Sequence, residues 1–140
     1  MNFLIDTNVI SELARPRPDA SVVSFLHESD EDRLFLSVVT LAELHRGIAL
    51  KEKGKARVAL ETWLGHDLPS RFSGRIVDID PRIAKAWGDL MASAKRRGIA
   101  LHVMDGFLAA TALARAFTLA ARNTKDFTPF GVPLFNPWGR

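Results

Sequence analysis

The sequence predicts an α/β fold with a mostly parallel central sheet, in one domain spanning residues 1–140. Three observations carry this prediction. Short apolar runs alternate with segments of helical periodicity, the pattern of strand–helix–strand units. The first run, Phe3-Leu4-Ile5, is continuously apolar, as in a strand covered on both faces. No internal repeat, low-complexity tract or linker interrupts the series.

Phe3-Leu4-Ile5 reads as the first strand. It ends at Asp6-Thr7-Asn8, residue types that start helices, and residues 9–13 follow as a short helix. Arg15-Pro16-Arg17-Pro18 breaks that helix, and a second spans residues 20–28, with Val22, Val23 and Leu26 on one side. Residues 34–39 form the next strand. Thr40-Leu41-Ala42-Glu43 has the form of a capping box, Thr at the N-cap and Glu three residues on. Its helix is expected over residues 40–53, with Gly54 as the stop.

Helical pattern resumes over residues 55–64, residues 65–74 read as a loop, and residues 76–79 as a third strand. Asp80-Pro81 opens a long helix on which Ile83, Ala84, Trp87, Leu90, Met91 and Ala94 recur at helical spacing. It closes with Lys95-Arg96-Arg97 and Gly98, basic side chains and glycine being suited to a helix C-terminus. An alanine-rich helix is expected from about Asp105 through Ala116, then a strand over residues 118–121 and a last short one over residues 133–135.

Composition removes several classes of function. With 47% apolar and 25% charged residues the chain is not of disordered type. It has no cysteine, which excludes disulfides, thiolate catalysis and Cys-ligated zinc. That suits a reducing cytoplasm, and the N-terminus lacks the basic and apolar regions of a secretion signal, so a cytoplasmic location is expected. No apolar run approaches the roughly 18–20 residues that span a bilayer. A net charge of +3 is compatible with nucleic acid without arguing for it. His27, His45, His66 and His102 are scattered with no H-E-x-x-H pair, and no P-loop, dinucleotide or G-x-S-x-G signature occurs.

Ligands of open α/β sheets bind beyond the carboxyl ends of the strands. Asp6 directly follows the first predicted strand, Glu43 lies one turn after the second, and Asp126 follows the fourth. Asp105 opens a helix, whose dipole favours an ionised carboxylate. Singly, each acid has a bland alternative in capping, dipole complementation or an ordinary loop. Together they would repel one another unless a divalent cation neutralised them, and hard oxygen donors select Mg²⁺ or Mn²⁺. Such an ion activates water and stabilises charge on phosphate, so phosphodiester hydrolysis is the expected reaction class.

Four ordered segments carry a family resemblance. They are Phe3-Leu4-Ile5-Asp6-Thr7-Asn8-Val9-Ile10-Ser11-Glu12-Leu13; Ser37-Val38-Val39-Thr40-Leu41-Ala42-Glu43-Leu44, with Gly47 after it; Met104-Asp105-Gly106-Phe107-Leu108-Ala109-Ala110-Thr111-Ala112; and Ala121-Arg122-Asn123-Thr124-Lys125-Asp126-Phe127. They resemble the PIN domain, specifically the VapC-type toxins of bacterial toxin–antitoxin pairs, and the terminal Leu134-Phe135-Asn136-Pro137-Trp138 resembles a tail of that group. The resemblance implies a three-layer sandwich, helices flanking the sheet, and metal-dependent endoribonuclease activity. It also implies a cognate antitoxin and a homodimer, and it places metal ligation or water activation on Asp6, Glu43 and Asp105. Asn123 stands where the family has a fourth acid, with Asp126 three residues later, and Ala121 stands where relatives often carry a hydroxyl. Thr7 and Asn8 are candidates to orient Asp6 or a metal-held water; helix capping is their alternative role.

Several other residues carry weaker expectations. His102, Arg46 and Lys95-Arg96-Arg97 are expected in ordinary polar or solvated roles. Leu50 falls on the Glu43 side of its helix and suggests a subunit or antitoxin contact. The rival to a Mg²⁺-dependent ribonuclease is a nucleic-acid-binding module of the same fold, with little catalysis, acting beside a DNA-binding antitoxin. A haloacid-type phosphatase is disfavoured because Asn8 stands where a second Asp is needed.

Overall fold

The computed structural model describes residues 1–139. Its centre is a five-stranded parallel sheet of β1 (Phe3–Ile5), β2 (Leu34–Ser37), β3 (Ile76–Val77), β4 (Thr118–Ala120) and β5 (Leu134–Phe135), in the spatial order β3-β2-β1-β4-β5. Leu4 pairs with Phe35 of β2 on one side and with Leu119 of β4 on the other. The chain therefore builds outward from β1 in one direction through β3, then returns to build in the other. The crevice at this reversal, beyond the ends of β1 and β4, is where a parallel sheet leaves room for a ligand.

Helices cover both faces. Alternation along β1 sends Leu4 to a core shared with Leu108, Leu119, Ile83 and Leu90, beneath α6 (Pro81–Arg96) and α7 (Val103–Arg115). Ile5 faces the opposite core, with Val9, Ile10, Phe25, Leu36, Leu44 and Phe72. That second layer comprises α1 (Thr7–Glu12), α2 (Ala20–Glu28), α3 (Val38–Ala49), α4 (Lys55–Thr62) and α5 (Leu68–Arg71). The three-layer α/β architecture expected from the sequence is the one observed.

Local signals explain most element ends. Asp80 caps α6 by accepting from Ile83 N–H at 2.9 Å, and Pro81 occupies the first turn, where no backbone donor is needed. Gly98 ends α6 at φ 67°, a left-handed conformation suited to glycine.

Five boundaries differ from the sequence expectation. The second strand stops at Ser37, whose Oγ accepts from Val39 N–H at 3.0 Å and starts α3 there. The β-branched Val38 and Val39 are thus helical, and no capping box forms at Thr40, which lies inside the helix. That helix ends at Ala49, short of residue 53. The expected loop over residues 65–74 contains a turn of π-helix (Trp63–Asp67) and α5, because Leu64, Leu68 and Phe72 continue a buried helical stripe past Gly65 and Pro69. The third strand is only Ile76–Val77. Finally, α7 starts at Val103, with His102 as its cap, so Asp105 sits within the first turn rather than at its start.

Candidate active site

Asp6 is the first residue beyond β1, and three backbone constraints hold it there. Its N–H donates to Ala120 O of β4 at 2.9 Å, and its carbonyl accepts from Val9 and Ile10. Its side chain caps α1, Oδ1 accepting from Thr7 N–H at 2.7 Å. Capping and membership of the acidic cluster are therefore properties of the same carboxylate. Asp6 is only 6% exposed. Burial pushes its pKa up to about 7, with the negative charges of Asp105 and Glu43 adding to the rise and the Thr7 N–H opposing it.

Glu43 is half-buried on α3 and reaches back toward α1. Its Oε1 accepts from Thr7 Oγ1 at 2.7 Å. Thr7 thus bonds two of the acids, one through its backbone and one through its hydroxyl. Asp105 is half-buried in the first turn of α7, and burial raises its pKa. Glu43 and Asp126 reinforce that rise and His102 counteracts it. These mutual effects place Asp6, Glu43 and Asp105 within electrostatic reach of one another at the sheet reversal.

The auxiliary candidates divide. Asp126 lies in the turn Thr124–Asp126 after β4, exposed, with its Oδ2 accepting from Asn123 Nδ2 at 2.9 Å. Thr7 joins the network, whereas Asn8 is exposed on α1 and only its carbonyl is engaged, by Ser11 Oγ. Leu50 is 70% exposed at the end of α3. Arg97 donates to Pro129 O and lies over the Phe130 ring, a structural role for part of the basic helix end.

Two features escape the sequence reading. Thr40, fully buried on α3, has its Oγ1 3.3 Å from Thr7 Oγ1. The signal available was its spacing of three from Glu43, which puts both on one helix face. The second is a groove of about 440 Å³ beside the acids, bounded by α1, α3 and α4, with Thr7, Glu43, Arg15, Lys51 and Trp63 in its walls. Arg15 was legible only as part of a helix-breaking run.

Among the described residues no three acidic or imidazole groups are already drawn into a ligand shell around one point. The donor set nevertheless fits a hard divalent cation. It is all-carboxylate, it carries excess negative charge in a partly desolvated crevice, and Mg²⁺ keeps much of its water and asks for only one or two direct carboxylates.

A PIN domain family model matches residues 3–129. Over 136 residues the chain is 37% identical to VapC ribonuclease Y4jK of Sinorhizobium fredii, covering 97% of each protein. It is 38% identical to toxin FitB of Neisseria gonorrhoeae, covering 97% of this chain and 98% of that one. It also matches the crystal structure of FitAcB from N. gonorrhoeae with a TM-score of 0.92 at 38% identity, over 99% of both chains. Matched in sequence and fold along nearly its whole length, the chain belongs to the PIN-domain family, with VapC and FitB toxins among its homologues.

Proposed function

We propose that this chain is a Mg²⁺-dependent endoribonuclease, the toxin of a toxin–antitoxin pair, with Asp6, Glu43 and Asp105 as its catalytic and metal-holding residues. What supports the reading is that these three acids act on one another electrostatically near the sheet reversal, where Asp6 is buried enough to have its pKa raised to about 7. An acid so costly to ionise is explained by a cation that the ionised form would hold. The names of the relatives, a ribonuclease and a toxin, support the same reading.

When bound, Mg²⁺, or Mn²⁺ in its place, would neutralise charge on the phosphate and make a water more acidic. Asp6 and Asp105 would hold the ion through their carboxylates, Asp6 in its ionised form. Glu43 has one oxygen fixed by Thr7, which leaves Oε2 to orient the attacking water and take its proton. Asn123 offers an amide where a fourth acid would add charge, so one ion suffices in this scheme, and Asp126 and Asn123 would contribute hydrogen bonds to water.

An antitoxin partner and a homodimer follow from the same reading, and the outward Leu50 is the candidate contact for either. Leu50→Glu is expected to weaken one of these associations, measured by light scattering and by co-purification; both unchanged would remove Leu50 from them.

Cleavage of a mixed RNA pool by the partner-free protein, beside Asp6→Asn, Glu43→Gln and Asp105→Asn, tests the function. Loss of at least a hundredfold in each variant, with RNA binding kept, is the expected result. RNA binding without cleavage by the wild type would instead favour a binding module.

A further inference from the structure

We propose that Thr40 is a positioning residue for the carboxylate site, acting through Thr7 on Glu43; this rests on the nuclease reading above. Among the described residues two threonines on helices are fully buried, and they behave differently. Thr111 on α7 turns its hydroxyl back to the Phe107 carbonyl at 2.7 Å, the usual way a helical threonine satisfies itself. Thr40 instead has its hydroxyl 3.3 Å from Thr7 Oγ1, across the junction between α3 and α1.

Hydrogen bookkeeping gives this contact a direction. Thr7 Oγ1 lies 2.7 Å from Glu43 Oε1, and an ionised carboxylate only accepts, so the single Thr7 hydroxyl proton points at Glu43. The Thr7 oxygen is then free to accept, and Thr40 is the donor beside it. The chain runs from Thr40 O–H to Thr7 Oγ1, and from Thr7 O–H to Glu43 Oε1. Thr7 also donates its backbone N–H to Asp6 Oδ1 at 2.7 Å. A Thr7 side chain held in one rotamer therefore fixes Glu43 relative to Asp6, and Thr40 is a second hold on that rotamer beside the shorter bond to Glu43. Without that donor, Thr7 loses one of its two side-chain holds, and Glu43 gains freedom toward the adjoining groove.

Two variants separate this role from packing. Thr40→Val keeps the shape and removes the hydroxyl; Thr40→Ser keeps the hydroxyl and removes a methyl. Each is compared with the wild-type full chain by melting temperature, by Mn²⁺ affinity from calorimetry, and by steady-state cleavage of an RNA pool in Mg²⁺. Thr40→Val is expected to lose about tenfold in kcat and in Mn²⁺ affinity with KM unchanged, whereas Thr40→Ser stays within about threefold of wild type. Wild-type Mn²⁺ affinity and kcat in Thr40→Val would overturn the proposal. So would a Thr40→Ser variant as impaired as Thr40→Val, since that pattern reports packing. A wild type that binds Mn²⁺ but cleaves no RNA would defeat the nuclease reading alone, and the Mn²⁺ comparison would still decide Thr40.

Discussion

Asn123 donates its side-chain amide to Asp126 Oδ2 at 2.9 Å, and Asp126 in turn raises the negative potential felt by Asp105. The amide thus quiets one acid at the rim of the cluster where a further carboxylate would have intensified it. Asn123→Asp removes that donor and adds a charge facing Asp126. In EDTA the melting temperature should fall by a few degrees, a loss of roughly 1 kcal/mol. In Mn²⁺ the order should reverse, with calorimetry showing severalfold tighter binding than wild type. Unchanged Mn²⁺ affinity would place position 123 outside the ion's field.

Asp6 makes stability depend on pH. Burial raises its pKa in the folded chain to about 7, from 3.8 for the unperturbed acid. Between those values the folded Asp6 binds more protons than the unfolded one, so its contribution to stability is greatest below pH 3.8 and is lost as pH rises through 7. The loss is on the order of a few kcal/mol. Asp6→Asn keeps an oxygen to accept from Thr7 N–H but cannot ionise. In metal-free buffer the variant should melt several degrees above wild type at pH 8, with the gap closing toward pH 4. A constant gap across that range would show that Asp6 is not the group responsible.

The legibility of these acids in the sequence differed by residue. Asp6 was legible because an acid directly after a short apolar run marks the end of a buried strand, and β1 is such a strand. Glu43 is legible from its place shortly after the second strand, although the capping box expected for it does not form. Ser37 starts the helix instead, because its hydroxyl satisfies Val39 N–H while β2 ends, a competition between strand propensity and capping that local pattern does not settle. Helical spacing still placed Glu43 correctly, one turn from Thr40. The Thr40–Thr7 contact was hidden because it joins residues 33 apart in sequence through the packing of two helices. The groove was hidden for the same reason, its walls coming from three helices and a loop. Strand order was not legible either: alternation of strands and helices implies a parallel sheet but does not say that the chain reverses at β1.

Gly106 follows Asp105 where α7 meets α6. A Cβ there would lie 2.6 Å from Met91 Sδ and 3.1 Å from Trp87 Nε1. Met91 is flexible, but Trp87 stacks on Phe107 at 4.8 Å and donates to Val103 O at 3.2 Å, at the start of α7. Gly106→Ala should therefore cost about 1–3 kcal/mol, read as a lower urea midpoint. Because the strain falls beside Asp105, Mn²⁺ affinity should drop with it. A full-stability variant would mean that Met91 alone absorbs the methyl.

Ala116 ends α7 at φ 54°, the one non-glycine residue with positive φ among the described residues. A side chain there carries strain that glycine avoids, at the position where helices favour glycine. Ala116→Gly should stabilise the chain by roughly 0.5–1 kcal/mol without altering the acidic site, measured by urea unfolding. A destabilised variant would show that the Ala116 methyl contributes more by packing than it costs in strain.

Single-turnover cleavage of a labelled RNA pool by the purified, partner-free chain, in Mg²⁺ and in EDTA, beside Asp6→Asn, tests the metal-dependent nuclease. Cleavage by the wild type is expected in Mg²⁺, abolished by EDTA, restored by added Mn²⁺, and absent from Asp6→Asn under every condition. Cleavage that persists in EDTA, or that survives Asp6→Asn, would contradict a metal-dependent site built on these carboxylates.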